Sequence, residues 1–368
     1  MNFDLDDEQV MLRDMVARFM AERSSPADRT SVRLTPAGFS GDNWRAMGEL
    51  GLLGLPFAAE QGGMGGGPIE LMVVMEQLGR GLAAEPYLFD LILAGRLLDR
   101  AGSESQREAW LPGIISGERR LALAHGERAA RYNPLFVQCR ATRHKGGATL
   151  DGVKTFVLAG SGADAFLVSA REHGGPDQPE GLSLYLVRAD AAGLDRRDYR
   201  LVDGSAACEL HLRDVPGEPL EGGADALLAA FDEARVAACA EMIGIMALLF
   251  ETTLDHLRTR KQFGQPIGSF QAVQHRMADL YAALEQSRSH LYRAALVADE
   301  DAPTAIAGAK SFISAAAVRL GEECIQFHGG MGTSDELIIG RGHKRILLLA
   351  TLLGDSESEL GRYVGLMK

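Results

Sequence analysis

The sequence lacks cysteine pairs, an excess of positive charge and long uncharged apolar runs. Its four cysteines, Cys139, Cys208, Cys239 and Cys324, stand far apart with no C-x-x-C spacing. That excludes a legible disulfide framework or zinc ribbon and makes a reduced compartment the default. No His/Asp/Glu cluster has metal-ligand spacing either, so no metal is expected. Lys+Arg number 38 against 50 Asp+Glu, a formal charge of −12. A surface of that sign repels phosphate backbones on average, which argues against nucleic acid as a partner. The longest strongly apolar uncharged runs, Met242 to Phe250 and Ile346 to Leu353, fall short of the ~20 residues that cross a bilayer. The segment from Met1 to Asp6 has neither the basic start nor the apolar stretch of a secretory signal. The expectation is a cytoplasmic chain without a membrane span.

Glycine, by contrast, is plentiful at 43 of 368 residues, above the ordinary share of about 7%. It has no collagen period, so it must mark turns, caps and close backbone approaches. The chain falls into three blocks. Residues 1–118 read as helical: Asp6 with Gln9 resembles a capping box ahead of Val10, Leu12, Val16 and Phe19. Further helices are expected from Asp42 to Leu52, Ile69 to Ala83 and Tyr87 to Ala101. The Gly62 to Pro68 run lacks the G-K-[ST] ending of a phosphate loop and reads as an inter-helix turn.

Residues 119–220 carry short apolar runs (121–124, 149–150, 155–158, 165–169, 182–187) separated by Gly and Asp turns, which is antiparallel-sheet punctuation. Residues 221–368 return to helix, expected over 225–259, 270–299, 304–327 and 341–353. Blocks in this order exclude a doubly wound βαβ fold. The predicted class is α+β, mostly α: an N-terminal helical domain, a middle antiparallel β-domain and a C-terminal four-helix bundle.

Two segments carry chemistry. From Arg260 to Gln271 the chain reads Arg-Lys-Gln-Phe-Gly-Gln-Pro-Ile-Gly-Ser-Phe-Gln. Two cations close one helix, a Gly/Pro turn follows, and Ser269 is placed to cap the next helix. The cations could simply complement a helix dipole, or they could form an anion site in which a guanidinium meets a pyrophosphate. The second segment, Gln326-Phe327-His328-Gly329-Gly330-Met331-Gly332, ends a long helix on paired glycines. These serve as a cap or let backbone approach a ligand.

Together these segments resemble the acyl-CoA dehydrogenase family, as do Gly48 to Pro56 in the N-terminal block and Leu150 to Lys154 in the middle block. Within it the resemblance is to the pimeloyl-CoA dehydrogenase small subunit, and next to the short subunits of heteromeric steroid-chain members. The resemblance implies FAD as cofactor and an acyl-CoA thioester as substrate, with electron-transfer flavoprotein as electron acceptor. A carboxylate removes the α-proton while the β-hydride goes to the flavin. It also implies that one subunit's middle domain holds the flavin ring while its neighbour's C-terminal bundle holds the ADP half. On that basis Arg260, Gln262, Phe263, Gln271, Gln326, Gly329 and Gly330 are the ADP-half contacts.

Other positions depart from the family pattern. The Thr-Glu-Pro-x-Ala-Gly-Ser-Asp run that touches flavin and thioester reads Ala124 to Ala130 here, and the flavin-covering strand becomes Phe156-Val157-Leu158-Ala159. The two seats of the catalytic glutamate fall on Leu353 and Ala234. Glu241 is the replacement candidate, since it is the only charged residue from Val236 to Phe250 and shares a helical stripe with Ala234, Ala238, Ile245 and Leu248. Apolar surroundings would raise its pKa and suit it to a general base. It could equally be a buried acid paired with an arginine or histidine. Glu233, Asp355 or a base on a partner chain remain open.

Arg235 is assigned to substrate, and Arg235, Arg260 and Lys261 are the local cations for CoA and FAD phosphates. His125 and His328 read as hydrogen-bonded structural residues, and Ser356 with Glu359 as a capping box after Gly354. By resemblance the acyl pocket lies between residues 80–100 and the stripe from Ala234 to Ile245. Small residues there, Ala94, Gly95, Ala234 and Ala238, suit a dicarboxyl-CoA or another bulky acyl-CoA. The expected assembly is a heteromer with a larger homologous subunit, or a homo-oligomer. A flavin-free subunit that stabilises a partner or binds acyl-CoA is the reading from another class.

Overall fold

The computed structural model describes residues 4–24, 32, 35–297, 300–334 and 337–367. The chain folds into two compact units that interleave along the sequence. One comprises Met1–Arg29, Pro68–Ala83 and Arg235–Lys368, the other Thr30–Gly67 and Ala84–Ala234.

The first unit is helical. Its α1, Asp7–Arg23, opens on the expected capping box, with the Asp6 side chain accepting from Gln9 N and the Gln9 side chain from Asp6 N. In the second unit, α2 (Gly41–Glu49) is capped by Ser40 and followed by a 3₁₀ turn at Leu52–Gly54. The helix expected to reach Leu52 therefore ends earlier, because Gly51 takes a left-handed conformation at φ 77°. Helix α3, Pro68–Arg80, returns to the first unit and starts on the proline, whose missing N–H is an orphan in any first turn. In the second unit α4, Leu88–Gly95, is wound as a π-helix and runs into α5, Arg96–Ala101. Helix α6, Glu104–Ile115, follows with its own capping box at Ser103.

The sheet has seven strands: β1 (Leu121–Ala124), β2 (Arg140–His144), β3 (Gly147–Leu158), β4 (Ala165–Arg171), β5 (Leu182–Arg188), β6 (Leu194–Arg200) and β7 (Ala206–Gly223). The pairings β4–β5, β5–β7, β7–β3, β3–β2 and β2–β4 return to their starting strand, so the sheet curls on itself. It is not wholly antiparallel. Strand β1 runs parallel to β4, and both are buried along their whole length. Such strands read as continuous apolar runs, with no alternation to reveal direction.

Helix α7, Ala224–Thr259, has 36 residues and so extends roughly 54 Å at ~1.5 Å per residue. By length and composition it could cross a membrane, but 72% of its apolar window is buried inside the fold. It is built as a core helix. A two-stranded hairpin follows, β8 (Lys261–Gln262) and β9 (Gln265–Pro266), then α8 (Gln271–Leu296), α9 (Ala302–His328) and α10 (Ile338–Thr351). A further helix, α11 (Ser356–Leu366), follows where the capping-box reading after Gly354 expected one. Its cap is Asp355, which accepts from Ser358 N at 2.8 Å. The box expected at Ser356 and Glu359 does not form, because Asp355 takes the cap position one residue earlier.

Candidate functional site

The hairpin after α7 is a tight turn: Phe263 at φ 53° and Gly264 at φ 82° both occupy the left-handed region, as a two-residue hairpin loop demands. It is anchored at its base, where Arg260 N donates to His256 O at 2.8 Å and Ile267 N to Arg260 O at 2.9 Å. Phe263 is 92% exposed, touching Phe270 edge-on at 6.2 Å. The side chains of Arg260 and Lys261 are exposed and have no anionic partner among the described residues. Ser269 does not cap α8; its hydroxyl donates to Pro266 O at 2.6 Å inside a 3₁₀ turn, leaving Phe270 at the cap position.

The second motif closes α9. Gly329 takes φ 62°, and both Gly329 and Gly330 are exposed, with nothing within 4 Å of where a Cβ would stand. Gln271 and Gln326 are exposed as well. The structure brings the two motifs together through a contact that sequence reading missed. His256, one turn before Arg260, stacks on His328, just before Gly329, with ring centroids 4.3 Å apart and planes 23° from parallel. His328 Nδ1 donates to Cys324 O at 2.9 Å, and the Phe327 carbonyl bonds the His256 ring. Burial, then His328 and Arg260, hold His256 below the ordinary histidine range. The partners lie 72 positions apart with no local pattern to connect them. Exposed cations, exposed glutamines and open glycine backbone, on two motifs joined by the His256–His328 stack, fit an ADP pyrophosphate. Arg260 would supply charge in fork geometry, and Gly329 and Gly330 close backbone approach.

The two positions expected to seat the base are aliphatic. Ala234 on α7 is fully buried. Leu353 sits after α10 in the left-handed region at φ 58°. Arg235, only 4% exposed, donates through Nη2 to Leu353 O at 2.8 Å and through Nε to Glu359 Oε1 at 2.9 Å. The residue assigned to substrate is thus committed inside the chain. Lys310, buried completely, donates to Ala350 O at 3.0 Å, Gly354 O at 2.9 Å and Ser314 Oγ at 3.1 Å. Burial lowers its pKa to about 8. Asp355 is occupied as the α11 cap, and Glu233 pairs with Arg96 and Arg100 at 3.1 and 2.6 Å.

Glu241 is buried on α7, but its surroundings are not purely apolar. Arg345 Nε on α10 donates to Glu241 Oε1 at 2.7 Å, with side chains 13% and 7% exposed. Its backbone is equally confined. A Cβ on Gly79 would stand 2.1 Å from Glu241 O, and one on Gly244 1.9 Å from Glu76 O. Helices α3 and α7 therefore cross backbone against backbone at this point.

In the second unit, the run that departs from the family's flavin-contacting motif forms a buried polar cluster. Lys154 Nζ donates to Glu127 Oε1 at 2.7 Å and to Ser169 Oγ at 3.0 Å. Glu127 also accepts from the Gln138 and Cys139 amides at 2.7 and 2.9 Å. His125 Nδ1 lies 3.0 Å from Ser169 Oγ, and its ring meets Phe231 edge-on at 5.1 Å. A lysine on the inward face of a strand was the one sequence signal for this cluster.

Known proteins complete the assignment. Sequence models of the acyl-CoA dehydrogenase N-terminal, middle and C-terminal domains match residues 6–118, 122–215 and 221–363. The mitochondrial isovaleryl-CoA dehydrogenase of Arabidopsis thaliana is 30% identical over 98% of this chain and 90% of its own length. Among solved structures, a Tcur3481–Tcur3483 steroid acyl-CoA dehydrogenase variant superposes with a TM-score of 0.89, 30% identity and 98% of each chain covered. The ChsE4–ChsE5 complex from Mycobacterium tuberculosis does so with a TM-score of 0.91, 28% identity and coverage of 99% and 98%. The chain belongs to the acyl-CoA dehydrogenase family. Its chemistry is the FAD-dependent oxidation of acyl-CoA thioesters.

Proposed function

We propose that this chain is one subunit of a heteromeric acyl-CoA dehydrogenase. It lends the ADP-half site built from Arg260, Gln262, Phe263, Gln271, Gln326, Gly329 and Gly330, while a larger homologous subunit supplies the base. The observation that carries this reading is that Ala234 and Leu353 occupy both base seats, with the Leu353 carbonyl held by Arg235. An aliphatic side chain cannot accept the α-proton. FAD, when bound, takes the β-hydride and passes electrons on, with electron-transfer flavoprotein as acceptor. This chain's own part is to neutralise pyrophosphate charge with Arg260 and Lys261 and to orient the nucleotide through backbone at Gly329 and Gly330. A dicarboxyl-CoA or a steroid-sized acyl-CoA is the substrate class, in keeping with the small residues Ala234 and Ala238 and with the steroid enzyme among the structural neighbours.

A second reading gives the base to Glu241 in a homo-oligomer. Its support is that Glu241 shares Ala234's helical stripe, two turns further along α7. Native purification separates the readings: the first expects a larger homologue and FAD to co-purify with this chain. A homo-oligomer carrying a full flavin complement and oxidising acyl-CoA would overturn it, and a flavin-free assembly would point to a stabilising or acyl-CoA-binding role.

A further inference from the structure

His125 stands at the end of β1, where the chain departs from the family's flavin-contacting run, and the polar cluster beneath it fixes its protons. Lys154 has only donors, and it gives one to Ser169 Oγ at 3.0 Å. Ser169 is fully buried, so its own O–H must find an acceptor or cost the desolvation of an unmade bond. The acceptor within reach is His125 Nδ1, at 3.0 Å. A ring that accepts at Nδ1 carries its proton on Nε2. Glu127 holds Lys154 in place at 2.7 Å, and Lys154 also donates to the His125 carbonyl at 3.3 Å.

The other side of the ring is free. His125 is partly exposed, and its Nε2 has no hydrogen-bond partner among the described residues. Its neighbours are informative. Thr155 N donates to Gly126 O at 2.8 Å, which sets Gly126, the residue after His125, against Phe156, 44% exposed on the strand that covers flavin in the family. Phe231, against which the ring packs, lies one helical turn before Ala234. Burial, with Lys154 adding to it, pushes the His125 pKa down to about 3. The ring is therefore neutral at physiological pH and too weakly basic to take an α-proton, but it is a fixed donor.

We propose that His125 Nε2–H donates to a carbonyl oxygen of the bound reactants, either on the flavin ring or on the acyl thioester, with Ser169 and Lys154 as positioning residues that hold the tautomer. This rests on reading the middle block as the flavin and thioester face.

The experiment uses the natively purified, flavin-loaded assembly with His125→Phe, His125→Gln and Ser169→Ala in this chain. Two probes separate the sources: the reduction potential of the bound flavin, and affinity for octanoyl-CoA compared with its thioether, which lacks the carbonyl oxygen. If the oxygen belongs to flavin, His125→Phe lowers the potential by about 30 mV, a tenfold change for a two-electron couple. If it belongs to the thioester, His125→Phe weakens octanoyl-CoA about tenfold and leaves the thioether unchanged, as expected for losing one buried hydrogen bond of about 1.4 kcal/mol. His125→Gln, which keeps a donor, restores most of either effect, and Ser169→Ala reproduces part of it. A potential within about 9 mV of wild type together with a thioester preference within about twofold in His125→Phe would overturn the proposal. So would equal losses in His125→Phe and His125→Gln, which indicate packing alone. If Arg260→Gln, outside this cluster, left FAD retention intact, the cofactor-site reading would fail independently.

Discussion

Replacing Glu241 distinguishes a buried ion pair from a catalytic base, because the two roles predict opposite effects on stability and rate. Arg345 Nε donates to Glu241 Oε1 at 2.7 Å, with only 13% and 7% of the side chains exposed, so solvent screens the pair little. Glu241→Gln removes the carboxylate charge that Arg345 Nε contacts while the guanidinium stays buried. Breaking such a pair from one side costs about 3–5 kcal/mol, and the retained amide oxygen places this variant near the lower figure. At about 2–4 °C per kcal/mol for a unit of this size, the melting temperature should fall by about 6–12 °C. Glu241→Leu with Arg345→Met removes both charges of this contact and should recover part of the loss, since an apolar pair of similar volume is often neutral or better. Flavin reduction by acyl-CoA, measured in the assembled enzyme below its melting point, should stay within a few-fold of wild type. A general base contributes about 10²–10⁴-fold. A loss of that size with an unchanged melting temperature would refute the ion-pair reasoning and install Glu241 as the base.

Other expectations follow from the same structure. Lys310 has a folded pKa of about 8 against an ordinary 10.5, so between those values the unfolded chain binds a proton that the folded chain does not. Stability should therefore rise with pH across that window, by about 3 kcal/mol in total. Urea unfolding at pH 7.5, 9 and 10.5 should show that slope in the wild type and its loss in Lys310→Met. Arg260→Gln should weaken FAD retention in ultrafiltration at least tenfold, the ~1.5–3 kcal/mol of a charge-assisted hydrogen bond; unchanged retention would remove Arg260 from the site. His256→Ala should loosen FAD by several-fold and His256→Phe should largely restore it, since the stacked ring rather than its charge joins the two motifs; equal losses in both would show otherwise. Gly244→Ala forces α3 and α7 apart at a contact that a Cβ would make at 1.9 Å. It should cost ~1–3 kcal/mol as overpacking, read by thermal melting.

What could be read from the sequence depended on the distance over which each feature is encoded. The α1 capping box and the helix stop at Gly329 are written within a few residues, and both formed as expected. Strands β2 and β6 escaped notice because Arg140–His144 and Leu194–Arg200 are largely exposed and charged. Strand β7 contains Pro216 and Pro219, a residue type that cannot donate to a ladder, yet both occupy paired positions opposite Thr149 and Tyr185. The cap at Ser269 failed because the Pro266 carbonyl takes its hydroxyl. The contacts that define the site are the long-range ones. Neither Arg345 behind Glu241, nor His328 against His256, nor Ser169 beneath His125 leaves a periodic or adjacent trace in the chain.

The central claim is that this chain brings a nucleotide site but no base, and rapid mixing with acyl-CoA tests it most directly. The chain purified alone and supplied with FAD should show no reduction of the flavin absorbance on mixing. The same chain assembled with its larger homologue should reduce the flavin within a single turnover. Full flavin occupancy and rapid reduction by the chain alone would contradict the account.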